Sequence, residues 1–173
     1  MAPSSYQAPS RGDKSEKTYS QTKQSNLASS STTIAKLLAE KGSDVITVRP
    51  NDTIANVVTI LRDKGIGAVV VTDQNRAVKG ILSERDIVRR MADTPGQTLP
   101  QAVEDLMTKE VQSCAPGDSM ISVLQRMTDG KFRHMPVMEG DSLAGMITVG
   151  DVVNFRLKEL EYEALQMKQM IVG

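Results

Sequence analysis

The sequence predicts an α/β (α+β) fold written twice: two tandem repeats, each strand-helix-strand-strand-helix, packed with pseudo-twofold symmetry and followed by a long C-terminal helix. Three observations carry this. Gly80-Ile81-Leu82-Ser83-Glu84-Arg85-Asp86-Ile87-Val88 returns as Gly145-Met146-Ile147-Thr148-Val149-Gly150-Asp151-Val152-Val153, an internal repeat that any fold must explain. One register shift extends the match upstream, setting Val45 on Val111, Pro50-Asn51-Asp52 on Pro116-Gly117-Asp118, and Ile54, Val57 and Leu61 on Met120, Val123 and Met127. Val69-Val70-Val71 then meets Met135-Pro136-Val137, with one residue dropped in the turn near Arg76. Finally, helical and strand periodicities alternate in the same order in both halves.

In chain order, residues 1–31 are dominated by Ser, Gln, Lys, Thr and Pro, with Leu27 the one large aliphatic residue. Such a stretch cannot bury enough apolar surface to offset the entropy of ordering it, so it reads as a disordered tail or leader. Asp13 and Glu16 interrupt its basic residues and no amphipathic face forms, which argues against a transit peptide. Repeat 1 occupies residues 32–92. Thr32 and Thr33 can cap a short helix with Ile34, Leu37 and Leu38 on its apolar side and Gly42 at its C-cap. Residues 45–48 follow as a strand. Pro50-Asn51-Asp52-Thr53 is turn and N-cap chemistry, with Asp52 as the N-cap, and Ile54, Val57, Val58 and Leu61 mark a helix that stops at Gly65. Residues 68–72 form a buried strand, 73–76 a turn, 77–82 a second strand, and Ser83 opens a helix to Met91.

Residues 93–99 are the linker. Repeat 2, residues 100–157, restarts with a lead-in helix whose Val103, Leu106 and Met107 correspond to Ile34, Leu37 and Leu38, with Pro100 in its first turn. Strand 111–114, a helix over 119–128 with Asp118 as N-cap, and strands 135–138 and 143–148 repeat the order of elements. The last helix outlasts its counterpart by an extension over 158–173. Val153, Leu157, Leu160, Ala164, Met167 and Ile171 alternate in steps of four and three along it, an a/d seam that calls for a partner, here a second copy. The seam is short for an independent coiled coil, so it would supplement another dimer contact.

The composition excludes several function classes. Twenty-one basic residues balance 21 acidic ones over 173 residues, leaving no basic field to hold nucleic acid or an anionic membrane. No apolar run can span a bilayer and no signal-peptide core precedes the fold, so a cytoplasmic protein is expected. One Cys and one His give neither a disulfide framework nor a metal cluster, and Cys114 reads as a small strand residue rather than a nucleophile. No general acid and base pair is evident, and a catalytic role is not expected.

The repeated stretch carries the chemistry. Ser83-x-x-Asp86 and Thr148-x-x-Asp151 have the form of helix capping boxes, which need no ligand. They also fit a nucleoside: a carboxylate can accept hydrogen bonds from both ribose hydroxyls, and a hydroxyl with the first helix N–H groups can face a phosphate. A pseudo-twofold pairing would bring both boxes to one central cleft. Arg85 precedes the first Asp, and Arg133-His134 head the strand of repeat 2, where an anion would need cations; a solvated strand edge is the alternative for both. Gly67 and Ala68 occupy the matching positions of repeat 1, so the half-sites are not equivalent.

On Ala68-Val-Val-Val-Thr72, Met135-Pro-Val-Met138, Gly80-Ile-Leu-Ser-Glu-Arg-Asp86 and Gly145-Met-Ile-Thr-Val-Gly-Asp151, residues 32–157 resemble a CBS domain pair, or Bateman module. Lys131-Phe-Arg-His-Met-Pro-Val137 is similar to stand-alone members from bacteria and plant organelles. The resemblance implies a disc of two repeats, a homodimer, and a cleft for AMP, ADP, ATP, NAD(H) or S-adenosylmethionine acting as effector, with no catalytic cofactor. It places Asp86 and Asp151 on ribose hydroxyls, Ser83 and Thr148 on ribose or phosphate, and Arg85, Arg133 and His134 on phosphates. Val45, Ile46, Val70, Val111, Gln112 and Pro136 would line the adenine pocket. Gly150 departs from the Arg that the first motif carries at Arg85. The expected function is a regulatory module that binds an adenine nucleotide and signals through dimer geometry or an unidentified target protein. The alternative is a dimeric scaffold that binds no nucleotide.

Overall fold

The computed structural model describes residues 32–172, so the tail or leader read in residues 1–31 lies outside the described residues. The elements are α1 (Ile34–Lys41), β1 (Thr47–Val48), α2 (Ile54–Lys64), β2 (Ala68–Thr72), β3 (Val78–Ser83), α3 (Glu84–Asp93), α4 (Val103–Leu106), α5 (Met120–Asp129), β4 (His134–Glu139), β5 (Ser142–Thr148) and α6 (Val149–Val172). Repeat 1 forms a three-stranded sheet in the order β1-β2-β3, with β1 parallel and β3 antiparallel to the fully buried β2. In repeat 2, β4 and β5 pair antiparallel, with the same offset near their ends that β2 and β3 show.

The strand expected at 111–114 shrinks to a single parallel bridge between Cys114 and Val137. The cause is one residue. In repeat 1 the Val70 amide donates to the Ile46 carbonyl at 3.2 Å; the matching donor in repeat 2 is Pro136, which has no N–H. The edge keeps two bonds, Cys114 N–H to the Pro136 carbonyl and Met138 N–H to the Cys114 carbonyl.

Two smaller expectations also shift. Asp52 and Asp118 do not cap helices: each closes the turn around its neighbouring proline, Asp52 Oδ2 accepting from the Arg49 amide at 2.8 Å and Asp118 Oδ2 from the Ala115 amide at 3.1 Å. The N-cap positions fall one residue later, on Thr53 and Ser119, and the Thr53 hydroxyl accepts from the Asn56 amide. Pro100 sits in the turn before the one-turn helix α4 rather than inside it, because Ala102 is already the N-cap.

Succession along the chain sets α1 beside repeat 1 and α4 beside repeat 2, but their side chains cross over. Ile34 and Leu37 are buried with Cys114, Met120, Val123, Met127, Met135, Val137 and Ile147 of repeat 2. Val103 is buried with Val48, Ile54, Val57, Leu61, Val69, Val71 and Leu82 of repeat 1. Backbone bonds seal the exchange: the Ile34 and Ala35 amides donate to the Asp118 and Pro116 carbonyls, and the Val103 and Glu104 amides to the Asp52 and Pro50 carbonyls. The repeats are therefore interlocked rather than merely adjacent.

The repeated glycines answer to this exchange. A Cβ on Gly80 would stand 2.6 Å from Met107 Sδ and 2.9 Å from the Thr108 carbonyl oxygen, and one on Gly145 would stand 2.9 Å from Leu38. Each glycine leaves its strand bare where the other repeat's lead-in segment crosses it, and next to Gly80 the Ile81 and Thr108 backbones exchange two hydrogen bonds of 3.0 and 2.9 Å.

Helix α6 starts on the domain and leaves it. Val152 and Phe155 are buried, and Glu159 accepts from Thr32 Oγ1 at 3.0 Å and from Lys36 Nζ at 3.3 Å, tying α6 to the start of α1. The seam residues Val153, Leu157, Leu160, Ala164, Met167 and Ile171 are all exposed. None of the described helices is long and apolar enough to cross a membrane.

Candidate functional site

Both boxes close as helix caps. Asp86 Oδ2 accepts from the Ser83 amide at 3.0 Å and the Ser83 hydroxyl at 2.5 Å, and the Asp86 amide reaches Ser83 Oγ at 3.4 Å. In the second copy Asp151 Oδ2 accepts from the Thr148 amide at 2.8 Å while the Asp151 amide donates to Thr148 Oγ1 at 3.0 Å. The first amide of each helix is also engaged, Glu84 N–H with the Gly67 carbonyl and Val149 N–H with the Arg133 carbonyl, both at 3.0 Å. Much of the helix-terminal N–H capacity expected to face a phosphate is thus spent within the fold. What remains for a ligand at the first box is Asp86 Oδ1, without a protein partner among the described residues, and the side chains around it.

Those side chains enclose a cavity of about 310 Å³ between the repeats. Ser83, Arg85 and Asp86 form one wall; Val111 and Gln112 form another, on the lead-in to repeat 2; Arg133 and His134 close the third from the head of β4. Seven residues from three distant stretches of sequence thus meet as a group. Arg85 spans the cleft, its Nη1 donating to the Lys131 carbonyl at 3.4 Å. Gly67 leaves room for His134, whose Nε2 would lie 3.1 Å from a Cβ at that position.

Other expected residues stand elsewhere. Val70 and Pro136 are sealed inside their sheets, and Val45 and Ile46 are half-buried, Ile46 packing on the core of repeat 1. None of the four lines this cavity. Thr148 and Asp151 are at the second box, where Lys41 of the crossed-over α1 donates to both Asp151 Oδ2 and, at 2.9 Å, the Met146 carbonyl. Lys41 there takes the place of the backbone bridge that Ile81 makes with Thr108. The hollow beside Asp151 is a different one, walled by Leu37, Glu40, Lys41, Asn154, Phe155 and Lys158.

The charges of the cavity are mixed with an excess of cations: Arg85, Arg89, Lys131 and Arg133 against Glu84, Asp86 and Glu110. Burial pushes the His134 imidazole below its usual value despite the opposing pull of Glu84, so it enters neutral at pH 7 as a hydrogen-bonding ring rather than a cation. Burial also drives the Cys114 thiol up to about 11, which removes it as a nucleophile. Among the described residues no cluster of His, Cys, Asp or Glu could hold a metal ion.

Sequence reasoning missed Glu84, Arg89, Thr108, Glu110 and Lys131 as lining residues. Arg89 had a signal, since it lies one turn beyond Arg85 on the same helix face. Lys131 stands two residues before Arg133, in the same short segment. Thr108 and Glu110 had none: they belong to an irregular stretch placed only by the crossing-over of α4.

Residues 41–93 and 103–158 both match the CBS domain family. The chain belongs to that family. Its sequence is 29% identical over 151 residues to the Arabidopsis thaliana CBS domain-containing protein CBSX3, mitochondrial, covering 83% of this chain and 73% of that one. Among solved structures, the CBS-domain containing protein ATU1752 from Agrobacterium tumefaciens superposes with a TM-score of 0.71 at 43% identity, over 73% of this chain and 94% of that one. The CBS domain pair of protein MJ0100, solved in complex with 5′-methylthioadenosine and S-adenosyl-L-methionine, shares the fold with a TM-score of 0.66 at 20% identity, over 74% of this chain and 98% of that one.

Proposed function

We propose that this CBS pair is a non-catalytic regulatory module whose effector is a phosphate-bearing adenosine ligand, of the AMP, ADP, ATP or NAD(H) type, bound in the cavity beside Asp86. The observation that carries the reading is the composition of that cavity. Asp86 Oδ1 can accept from a ribose diol; Arg85, Arg89, Lys131 and Arg133 surround space that a phosphate can fill; Ile81, Val111 and the neutral His134 ring offer flat, largely apolar walls for a base. The volume of about 310 Å³ suits a mononucleotide or one half of a dinucleotide. The excess of guanidinium and ammonium groups favours a phosphate over the cationic sulfonium of S-adenosylmethionine, one of the ligands named for the MJ0100 pair.

At the second box Lys41 already donates to Asp151 Oδ2 and competes with a ligand for that carboxylate, which favours the Asp86 half-site as the one that is filled. Because the cavity is walled by both interlocked repeats, a ligand there can bias their relative geometry, and that bias is the signal passed to a partner. A thermal-shift screen of the full chain against AMP, ADP, ATP, NAD, NADH and S-adenosylmethionine tests the reading. A phosphate-bearing ligand at a hundred times its Kd should stabilise by about 2.7 kcal/mol. A response to none of them would leave the boxes as helix caps and the protein as a scaffold.

A further inference from the structure

One residue belongs to both halves of the pseudo-twofold. His134, the only histidine of the chain, opens β4 opposite Thr148 of the second box, while its side chain lines the cavity beside Asp86 of the first. We propose that His134 takes up a proton when the phosphate of an effector enters that cavity, so that the module holds its nucleotide more tightly as its surroundings acidify. This coupling rests on the effector site proposed above and makes the proton a second signal there.

Charge around the imidazole is balanced and comes from every neighbouring segment. Glu84 of α3, Asp151 of α6, Lys41 of α1 and the adjoining Arg133 are the charged groups that act on it, two anions against two cations. The ring fits there because Gly67 has no side chain: its Nε2 would lie 3.1 Å from a Cβ at that position, and Glu84 Oε1 3.6 Å from the same point. The remaining charges of the cavity, Arg85, Arg89 and Lys131 against Asp86 and Glu110, line the same space. With the four acting charges opposing one another, burial decides, and the imidazole is held below its usual value.

A phosphate upsets that balance. It brings negative charge without a cation of its own, and an anion within reach of an imidazole favours the protonated ring. Arginine and lysine side chains supply an attraction that does not vary between about pH 5 and 8, whereas imidazole is the side chain whose charge changes there. By linkage, a ligand that raises the ring's affinity for a proton is itself bound more tightly by the protonated form. The sign follows. Above the ordinary imidazole value of about 6.5 the ligand meets a neutral ring and must draw in a proton; below it the proton is increasingly at hand.

The untagged full chain tests this directly, because its single histidine gives an unambiguous imidazole signal in NMR. That signal is followed from about pH 5 to 8.5 in the free protein and in protein saturated with AMP, ADP, ATP or NAD, with adenosine as the phosphate-free control. A nucleotide that binds should raise the imidazole midpoint by about one pH unit or more, and adenosine should not raise it. In calorimetric titrations the affinity of the wild type relative to His134→Gln should grow about tenfold as pH falls from about 7.5 to 5.5. Taking the ratio cancels the ionisation of the ligand's own phosphate at about pH 6. A bound nucleotide that leaves the midpoint in place or lowers it, an equal rise with adenosine, or a flat ratio would overturn the proton coupling and leave the effector site standing. Binding of no nucleotide at any pH would remove the site and the coupling together.

Discussion

At the level of single residues, the capping box is a structural device that the proposed function also makes a ligand group, and the two roles would fall on different oxygens. Asp86 Oδ2 holds the Ser83 amide and hydroxyl, and Oδ1 is the atom that the proposed function assigns to a ribose. An Asn at this position keeps an acceptor for the cap yet loses the charge, so binding should suffer more than folding. His134 shows a related division. Its imidazole is pushed down by burial, with Glu84, Lys41, Asp151 and Arg133 around it in the balance. As pH falls through the ordinary imidazole value of about 6.5, the unfolded chain takes up a proton that the folded chain refuses. Stability is therefore fully present above that value and declines below it, until the folded imidazole protonates in turn. Melting temperatures followed from about pH 7.5 to 5.5 should fall for the wild type and fall less for His134→Gln. Parallel slopes in the two proteins would assign the decline to other groups.

At the level of elements, the two motif glycines are predicted to differ in what they tolerate. Gly80→Ala drives a methyl against the Thr108 carbonyl as well as Met107, and backbone cannot swing aside; a loss of about 1–3 kcal/mol in urea unfolding is expected. Gly145→Ala meets only the far end of Leu38, which can turn away, so its loss should be smaller. Equal losses, or the reverse order, would mean that the crossing of the lead-in segments does not set these positions. The same elements show how far sequence reading reaches. Helix and strand identities were legible because Val57, Leu61 and their repeat 2 partners keep a strict spacing, and the boxes because the repeat displays them twice. The exchange of α1 and α4 was not legible: Ile34 and Val103 have the same apolar character whichever repeat they enter. From that one gap follow the missed Thr108 and Glu110 in the cavity and the unforeseen Lys41 on Asp151. The shortened edge at Cys114 was readable in principle, since Pro136 announces a missing donor.

At the level of the whole molecule, the duplicated chain has become asymmetric where it would bind. The two repeats share their order of elements apart from the edge strand that repeat 2 reduces to a bridge, yet one cleft edge carries Arg133 and His134 where the other carries Gly67 and Ala68, and Asp86 lines the cavity between the repeats while Asp151 is bridged by Lys41 beside a separate hollow. Such a molecule can report occupancy of one site through a body with two interlocked halves, and α6 projecting from the second half offers a route to a second copy. The most direct test is isothermal titration of the phosphate-bearing adenosine ligand that gives the largest thermal shift into the full-length wild type, Asp86→Asn and Asp151→Asn. One ligand per chain, lost in Asp86→Asn and kept in Asp151→Asn, is the expected result. Two ligands per chain, or binding lost in Asp151→Asn and kept in Asp86→Asn, would contradict the assignment of the effector to the Asp86 half-site.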